Sequence, residues 1–305
     1  MPAVPLSRQK REKERREQAE SERIKQKEGR FDVGKCIFLD IDGTITVAGT
    51  NTPPDSAVRA MKMARENGHK LFLCTGRNPD MLQPLLKYGF DGMVACAGGY
   101  VTCGEKVLFD CPMTKEQLNT ALCSLHKNGV FCTIEARDGS FGDANLKEFL
   151  DGTEGGNSEI ERWRKALSEN LNIQPMEKYA GQPVYKIVIM AAEASQLTEC
   201  RQLLEKDFSF VIQDVPAHGC VNGELLNRAF DKGRGVRKIL DYLGKPAAES
   251  IGFGDSMNDL EMIRTVGTSV CMENGSEELK KISTMVCPSV TDSGLEKAFE
   301  KLKLI

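Results

Sequence analysis

The apolar residues of this chain alternate between two patterns. Short unbroken runs, such as Cys36-Ile37-Phe38-Leu39 and Lys70 to Cys74, predict buried strands. Between them, from Pro53-Pro54-Asp55 onward, Val58, Met61, Met63 and Ala64 recur at spacings that let a helix cover a sheet face, and Gly68 stops that helix. Pro79 to Tyr88 predicts a second helix and Met93 to Ala97 a third strand. Strand, helix, strand, helix, strand is the order of a parallel sheet. Val101 to Pro112 reads as a hairpin leaving that sheet.

From Thr114 to Pro216 the texture changes. A helix over Lys115 to Asn128 precedes a strand over Val130 to Glu135, and the Gly- and acid-rich stretch Gly139 to Asn157 reads as loop. A helix around Ile160 to Leu171, with Trp163 as a packing residue, precedes the strand Val184 to Met190. A helix over Ala194 to Lys206 and a strand over Phe208 to Gln213 follow. The set predicts a separate α+β unit inserted into the first domain. The last third returns to the sheet pattern. Lys232 to Leu243 is an amphipathic helix with Val236, Ile239, Leu240 and Leu243 on one stripe. Ser250 to Gly254 is a short strand, Leu260 starts an apolar helix, and Ser269 to Met272 and Thr284 to Val286 read as last strands. Gly294 to Leu304 closes the chain as a helix.

Composition narrows the class. The 305 residues fit one large domain or two ordinary ones, and 40% apolar with 28% charged residues is the balance of a soluble globular protein. A net charge of -3 gives no generic surface for nucleic acid. No apolar run approaches the ~18 residues of a membrane span, and the first residues lack the apolar core of a secretory leader. Eleven cysteines, without a Cys-x-x-Cys pair, sit mostly in apolar runs, as at Cys36, Cys74 and Cys271. They are expected as reduced core thiols of a cytoplasmic protein. Ser7 to Arg30 is almost wholly polar with mixed charge, and predicts a solvated helix or disorder, or more sharply a tail that binds nucleic acid or a partner.

The candidate chemistry begins where the first strand ends, at Asp40-Ile41-Asp42-Gly43-Thr44. Side chains alternate along a strand, but a chain that turns at a strand's end can aim both carboxylates at one point. Carboxylates that close repel unless a cation or a shared proton relieves them, and oxygen ligands there suit Mg²⁺. An EF-hand fails, because counting from Asp40 the Gly comes at four and Asn51 at twelve. The metal-binding Asp-x-Asp of a sugar-nucleotide transferase and a plain Asx turn stay open on this stretch alone. Gly29 to Lys35 has P-loop spacing, but Cys36 follows where Ser or Thr would hold Mg²⁺, and a strand comes next. No Gly-x-Gly-x-x-Gly follows a strand, so a dinucleotide fold has no support. Ligands of parallel sheets bind beyond the carboxyl ends of the strands, where Asp40, Asp42, Thr75 and Asp255 fall.

Four pieces in this order, Asp40 to Thr44, Thr75-Gly76-Arg77, Lys232-Gly233 and Gly254-Asp255-Ser256-Met257-Asn258-Asp259, resemble the haloacid dehalogenase-like hydrolase superfamily. The insertion between the second and third is similar to the large α+β cap of the Cof-type sugar-phosphate phosphatases. The resemblance covers Lys35 to Ile305. It implies an α/β fold: a doubly wound Rossmann-like parallel sheet core over 31–111 and 217–305, an inserted cap over 112–216, and a charged tail over 1–30 outside both.

It further implies Mg²⁺-dependent phosphoryl transfer. Asp40 would be the nucleophile, and Asp42 would protonate the leaving oxygen and then deprotonate the attacking water. Thr75, Gly76 and Asn258 would contact the phosphoryl group, and Lys232 would neutralise charge. The metal would take Asp40, Asp255 and the Asp42 backbone carbonyl, with Asp259 behind them. Arg77 is expected to be structural. Where relatives often carry Asn-Gly-Ala after the third strand, Ala97-Gly98-Gly99 stands here. The implied activity is hydrolysis of a small phosphorylated metabolite such as a sugar phosphate. A phosphohexomutase-type phosphotransferase and a non-catalytic phosphometabolite-binding protein are the alternatives. Arg137, Glu135 and Lys186 are the candidate specificity residues of the cap.

Overall fold

The computed structural model describes residues 34–151, 173–213 and 220–305. The polar stretch Ser7 to Arg30, the helix predicted around Ile160 to Leu171 with Trp163, and the expected boundary at 217 lie outside the described residues. The described residues open with β1 (Cys36–Leu39), α1 (Asp55–Glu66), β2 (Lys70–Cys74), α2 (Pro79–Leu86), β3 (Gly92–Ala95), β4 (Tyr100–Cys103) and β5 (Lys106–Asp110). It continues with α3 (Lys115–Lys127), β6 (Phe131–Ala136), β7 (Gly139–Gly142), α4 (Leu146–Asp151), β8 (Ile173–Pro175), β9 (Val184–Ala191), α5 (Thr198–Leu204), β10 (Phe208–Gln213) and β11 (Val221–Asn227). It ends with α6 (Lys232–Leu243), β12 (Ser250–Gly254), α7 (Leu260–Thr265), β13 (Thr268–Met272), α8 (Glu277–Ile282), β14 (Met285–Cys287) and α9 (Gly294–Lys301).

Two sheets result. The core sheet has eight strands in the order β14-β13-β12-β1-β2-β3-β4-β5. β14 to β3 in that order run parallel, because helices carry the chain back between them. Alternation along β1 splits its side chains between two apolar layers. Ile37 and Leu39 pack with Met61 of α1 and Phe299 of α9, while Cys36 and Phe38 pack with Val236 and Ile239 of α6 and Met262 of α7. Helices on both faces make this a doubly wound sheet and bury β1 and β12 along their whole length. The hairpin predicted to leave the sheet instead extends it, with β4 antiparallel to β3 and β5 to β4. The reason is packing: Val101, Leu108 and Phe109 join the layer under α6, which covers that edge.

The second sheet has six strands, in the order β10-β11-β9-β6-β7-β8. One face buries Ile134, Ile187, Ile189 and Leu225 against Leu118 and Leu125 of α3 and Leu204 of α5. The stretch predicted as loop from Gly139 holds β7 and α4. Backbone pairing with β6 makes the glycine-rich segment a strand, and Leu146 and Leu150 bury against Val188 and Met190. β11 is a further correction, since a core beginning at 217 would contain it. It pairs instead with β9 and β10, and its buried Val221 and Leu225 belong to the cap layer. Among the described residues, no helix is long and apolar enough to cross a membrane. All eleven cysteines are free thiols, most of them buried.

Candidate active site

The carboxyl ends of β1, β2 and β12 meet in one charged, buried centre. β1 stops at Leu39, and the Asp40 N–H donates to Phe253 O of β12 at 3.0 Å, which fixes the next residue of the chain against the sheet. The chain then turns tightly, with the N–H groups of Thr44, Ile45 and Thr46 all donating to Ile41 O at 3.2, 3.1 and 3.0 Å. Gly43 makes the turn possible with φ +79°, and it also makes room, since a Cβ there would lie 2.2 Å from Asp255 Oδ2.

Lys232 opens α6, whose N-terminus is capped by the Asp231 side chain accepting from Arg234 N at 2.7 Å. Its Nζ donates to Asp40 Oδ1 at 2.8 Å, to Asp259 Oδ1 at 2.6 Å and to Asn258 Oδ1 at 3.1 Å. The close approach of α6 to α7 rests on Gly233, where a Cβ would meet Glu261 O at 2.4 Å. Asp259 has no exposed surface, and its Oδ2 accepts from the backbone N–H of Asp255 at 3.0 Å and of Ser256 at 3.2 Å. Asp259 therefore shapes the loop after β12 and anchors Lys232 at once.

The electrostatics call for a cation. Carboxylate oxygens of Asp40, Asp255 and Asp259 all lie within 4.8 Å of one another. Burial, and then the charge of Asp259, push the Asp40 carboxyl up to about 7 despite Lys232. Burial, and then Asp40 and Asp259, push Asp255 up to about 8. Burial works to lower the Lys232 ammonium, but Asp259 and Asp40 override it and hold it above the usual lysine range. Three carboxylates around one ammonium leave two negative charges over, and the donors are all oxygen. That set fits a hard divalent ion such as Mg²⁺.

Asp42 is brought to the same turn but faces a different partner. Its Oδ2 accepts from Arg77 Nε at 2.9 Å, and its Oδ1 from Arg77 Nη2 at 2.7 Å and Gly49 N at 2.8 Å. Arg77, expected as structural, is itself held by Asn51 Oδ1 at 2.5 Å and Thr50 O at 3.2 Å. Among the clustered carboxylates, the Asp42 side chain is absent. Thr75 is buried at the end of β2, and its Oγ1 accepts from Arg77 N at 3.2 Å, which leaves the O–H as a donor. The Gly76 carbonyl accepts from Lys186 Nζ of β9 at 3.4 Å.

A model of the haloacid dehalogenase-like hydrolases matches residues 37–299. The chain belongs to this family. It is of the Cof type, with the α+β cap inserted between the strands of the core. It is similar to the 5-amino-6-(5-phospho-D-ribitylamino)uracil phosphatase YwtE of Bacillus subtilis, at 24% identity over 283 residues, covering 88% of this chain and 98% of that one. The crystal structure of a hypothetical protein from Geobacillus kaustophilus superposes with a TM-score of 0.72 at 26% identity, covering 89% of this chain and 100% of the other. The solved structure of BT4131, described as a subclass IIB sugar phosphatase, shares the fold with a TM-score of 0.70 at 22% identity, over 89% of this chain and 100% of that one.

Sequence reasoning missed Glu224, which bonds to Lys186 at 2.7 Å, and Asn274, whose Nδ2 holds Gly43 O at 2.9 Å. Glu224 had one available signal. Lys186 stands inside the otherwise apolar run Val184 to Met190, and a lysine in a buried strand requires a carboxylate nearby. Asn274 had none, because its partner is a backbone atom far away in the chain.

Proposed function

We propose that this chain is a Mg²⁺-dependent phosphatase that hydrolyses small phosphomonoesters, sugar phosphates among them, through an aspartyl-phosphate on Asp40. The observation that carries the reading is the convergence of Asp40, Lys232, Asp255 and Asp259 on one buried centre. The enzyme class, phosphoric monoester hydrolase, follows from the family. The ribityl group in one relative's name and the sugar phosphatase among the structural neighbours support a polyol or sugar as the leaving group.

Asp40, Asp255 and the Asp42 backbone carbonyl would hold Mg²⁺, with Asp259 supporting them. When bound, the ion supplies positive charge against the nucleophile and the phosphate dianion. Lys232 fixes Asp40 Oδ1 and offsets part of the same repulsion. In the first step an Asp40 carboxylate oxygen bonds to phosphorus as the bond to the leaving oxygen breaks, and Asp42 gives that oxygen a proton. In the second, water attacks the phosphorus, Asp42 takes its proton, and Asp40 is released. Either transfer requires one Asp42 oxygen to leave the Arg77 guanidinium. Thr75 donates its O–H to a phosphoryl oxygen. Asn258 uses its amide oxygen on Lys232 and on Ser256 Oγ at 2.9 Å, so its Nδ2 serves the phosphate.

The buried thiols suit a reducing compartment, and we place the protein in the cytoplasm. The test is phosphate release from a panel of phosphomonoesters, with Mg²⁺ and with EDTA, against the Asp40→Asn variant. Mg²⁺-dependent release by the native chain is the result expected. Release no greater than that of the variant on every ester would end the reading.

A further inference from the structure

The cap gathers a second set of metal-ligating side chains, of a different kind from the core centre. Ligand atoms of His126, Cys132 and Asp143 all lie within 4.8 Å of one another. His126 stands in the last turn of α3, Cys132 near the start of β6, and Asp143 directly after β7. Backbone pairing brings them together. Thr133 stands opposite Gly142 in the β6–β7 ladder, so Cys132 and Asp143 meet just beyond it. Asp143 N donates to Cys132 O at 3.0 Å, and Cys132 N donates to Asp143 Oδ2 at 2.7 Å, which holds the carboxylate beside the thiol. His126 Nε2 lies 2.9 Å from the same oxygen. The turn from α3 to β6 is fixed as well: Gly129 N donates to His126 O at 3.0 Å, and Gln196 Nε2 donates to Asn128 O at 2.8 Å and Gly129 O at 3.0 Å.

A His–Asp hydrogen bond alone would only tie α3 to the hairpin. The thiol beside it changes the chemistry. Imidazole nitrogen, thiolate sulfur and carboxylate oxygen together suit Zn²⁺, whereas the core centre offers oxygen alone. Ionised Cys132 and Asp143 carry the two negative charges that a divalent ion needs, so the ion is held without excess charge. Burial, and then Asp143, hold the Cys132 thiol well above the usual thiol range, so the ion must displace its proton. Zinc bonds of about 2.0–2.3 Å set neighbouring ligand atoms about 3.3–3.8 Å apart. The 2.9 Å contact of His126 with Asp143 therefore opens by a few tenths of an ångström. The half-exposed imidazole allows that, since the His126 side chain keeps 44% of its surface and Asp143 16%, while Cys132 is fully buried. An ion enters past the imidazole and stops at the thiol.

We propose that His126, Cys132 and Asp143 bind Zn²⁺, with water as the fourth ligand, and that the ion clasps α3 to the β6–β7 hairpin. The Cys132 proton leaves to solvent, and the imidazole binds through Nε2 with its own proton on Nδ1. The probe is Co²⁺ added to the full-length, metal-free chain under reducing conditions. Cobalt reports a thiolate ligand by a near-ultraviolet charge-transfer band, which the oxygen ligands of the core centre cannot give. The expected result is a saturable band at about one equivalent, bleached by Zn²⁺ but not by excess Mg²⁺, with about one proton released per ion. The Asp40→Asn chain should give the same band, so the result does not depend on the phosphatase reading. Cys132→Ser should remove the band. His126→Ala, a change at an exposed side chain, should weaken the Zn²⁺ Kd by about tenfold or more. Cys123 is the exposed thiol one turn earlier on α3, and Cys123→Ser should leave band and Kd unchanged. Absence of the band in the native chain, an unchanged Kd in His126→Ala, or loss of the band in Cys123→Ser would overturn the proposal.

Discussion

Two lysines are buried among the described residues, and they are buried differently. Lys232 in the core and Lys186 in the cap are 2% and 4% exposed, and each is held by two carboxylates. Lys232 sits at a helix start, and its partners stand at the ends of two parallel strands, placed by backbone hydrogen bonds such as Asp40 N to Phe253 O. Lys186 sits mid-strand, with its partners on strands in the same sheet, placed by register. The core set aims at a point outside the sheet and keeps an excess of negative charge for a cation. The cap set lies flat on a sheet face and spends its ammonium on its own carboxylates. The first arrangement leaves charge for a bound ion, and the second ties the strands of the cap to one another and to Gly76.

The largest effect that separates them is on turnover. Asp40→Asn is expected to lower kcat by about a thousandfold or more, as loss of a nucleophile does, whereas Lys186→Met raises KM more than it lowers kcat. Steady-state kinetics on any accepted ester checks both, and a kcat collapse in the cap variant would erase the distinction. Next comes Lys232→Met, which leaves Asp40 and Asp259 buried without their cation. A kcat loss of about 10²- to 10³-fold is expected, with about 3–5 kcal/mol of stability lost in metal-free denaturant titrations. Lys186→Met is expected to cost less stability, about 1–3 kcal/mol, because Glu224 retains contact with solvent. Equal losses would mean that the two burials are energetically the same.

The smallest effect is the pH response of the metal-free protein. Asp40 and Asp255 stand raised to about 7 and 8 from an ordinary value of 3.8. The folded state then keeps protons that the unfolded chain has released. Their contribution to stability is complete below 3.8 and is lost as pH rises through about 7 to 8. Thermal melts in EDTA should fall across that range, and Mg²⁺ should flatten the slope, because the ion takes the place of the protons. A slope unaffected by Mg²⁺ would argue that these carboxylates do not bind it.

The same contrast explains what the sequence disclosed. Strand ends carry their function in consecutive residues, so Asp40-Ile41-Asp42-Gly43-Thr44 and Gly254 to Asp259 announced the core centre before any fold was known. The strands behind them are continuous apolar runs, buried on both faces, which is the pattern most easily read. The cap trio was harder, because its members meet only through pairing of β6, β9 and β11. β11 itself was overlooked because Asn222, Gly223 and Glu224 interrupt its apolar positions, and Asn222 and Glu224 lie on the strand face opposite the core layer of Val221 and Leu225. The Arg77 grip on Asp42 was equally hidden, since adjacency to Thr75 says nothing about where a guanidinium reaches.

The strand order of the core has a consequence for how the protein is made. β1 is the first described strand, yet Cys36 pairs with Ser250 on one side and Lys70 on the other. During synthesis the β2 side can close early, while the other edge stays bare until the whole cap has left the ribosome. A nascent chain halted before Ser250 therefore displays an unpaired, wholly apolar strand, the kind of edge that invites aggregation and engages chaperones. The cap, whose strands are drawn from one contiguous segment, carries no such debt.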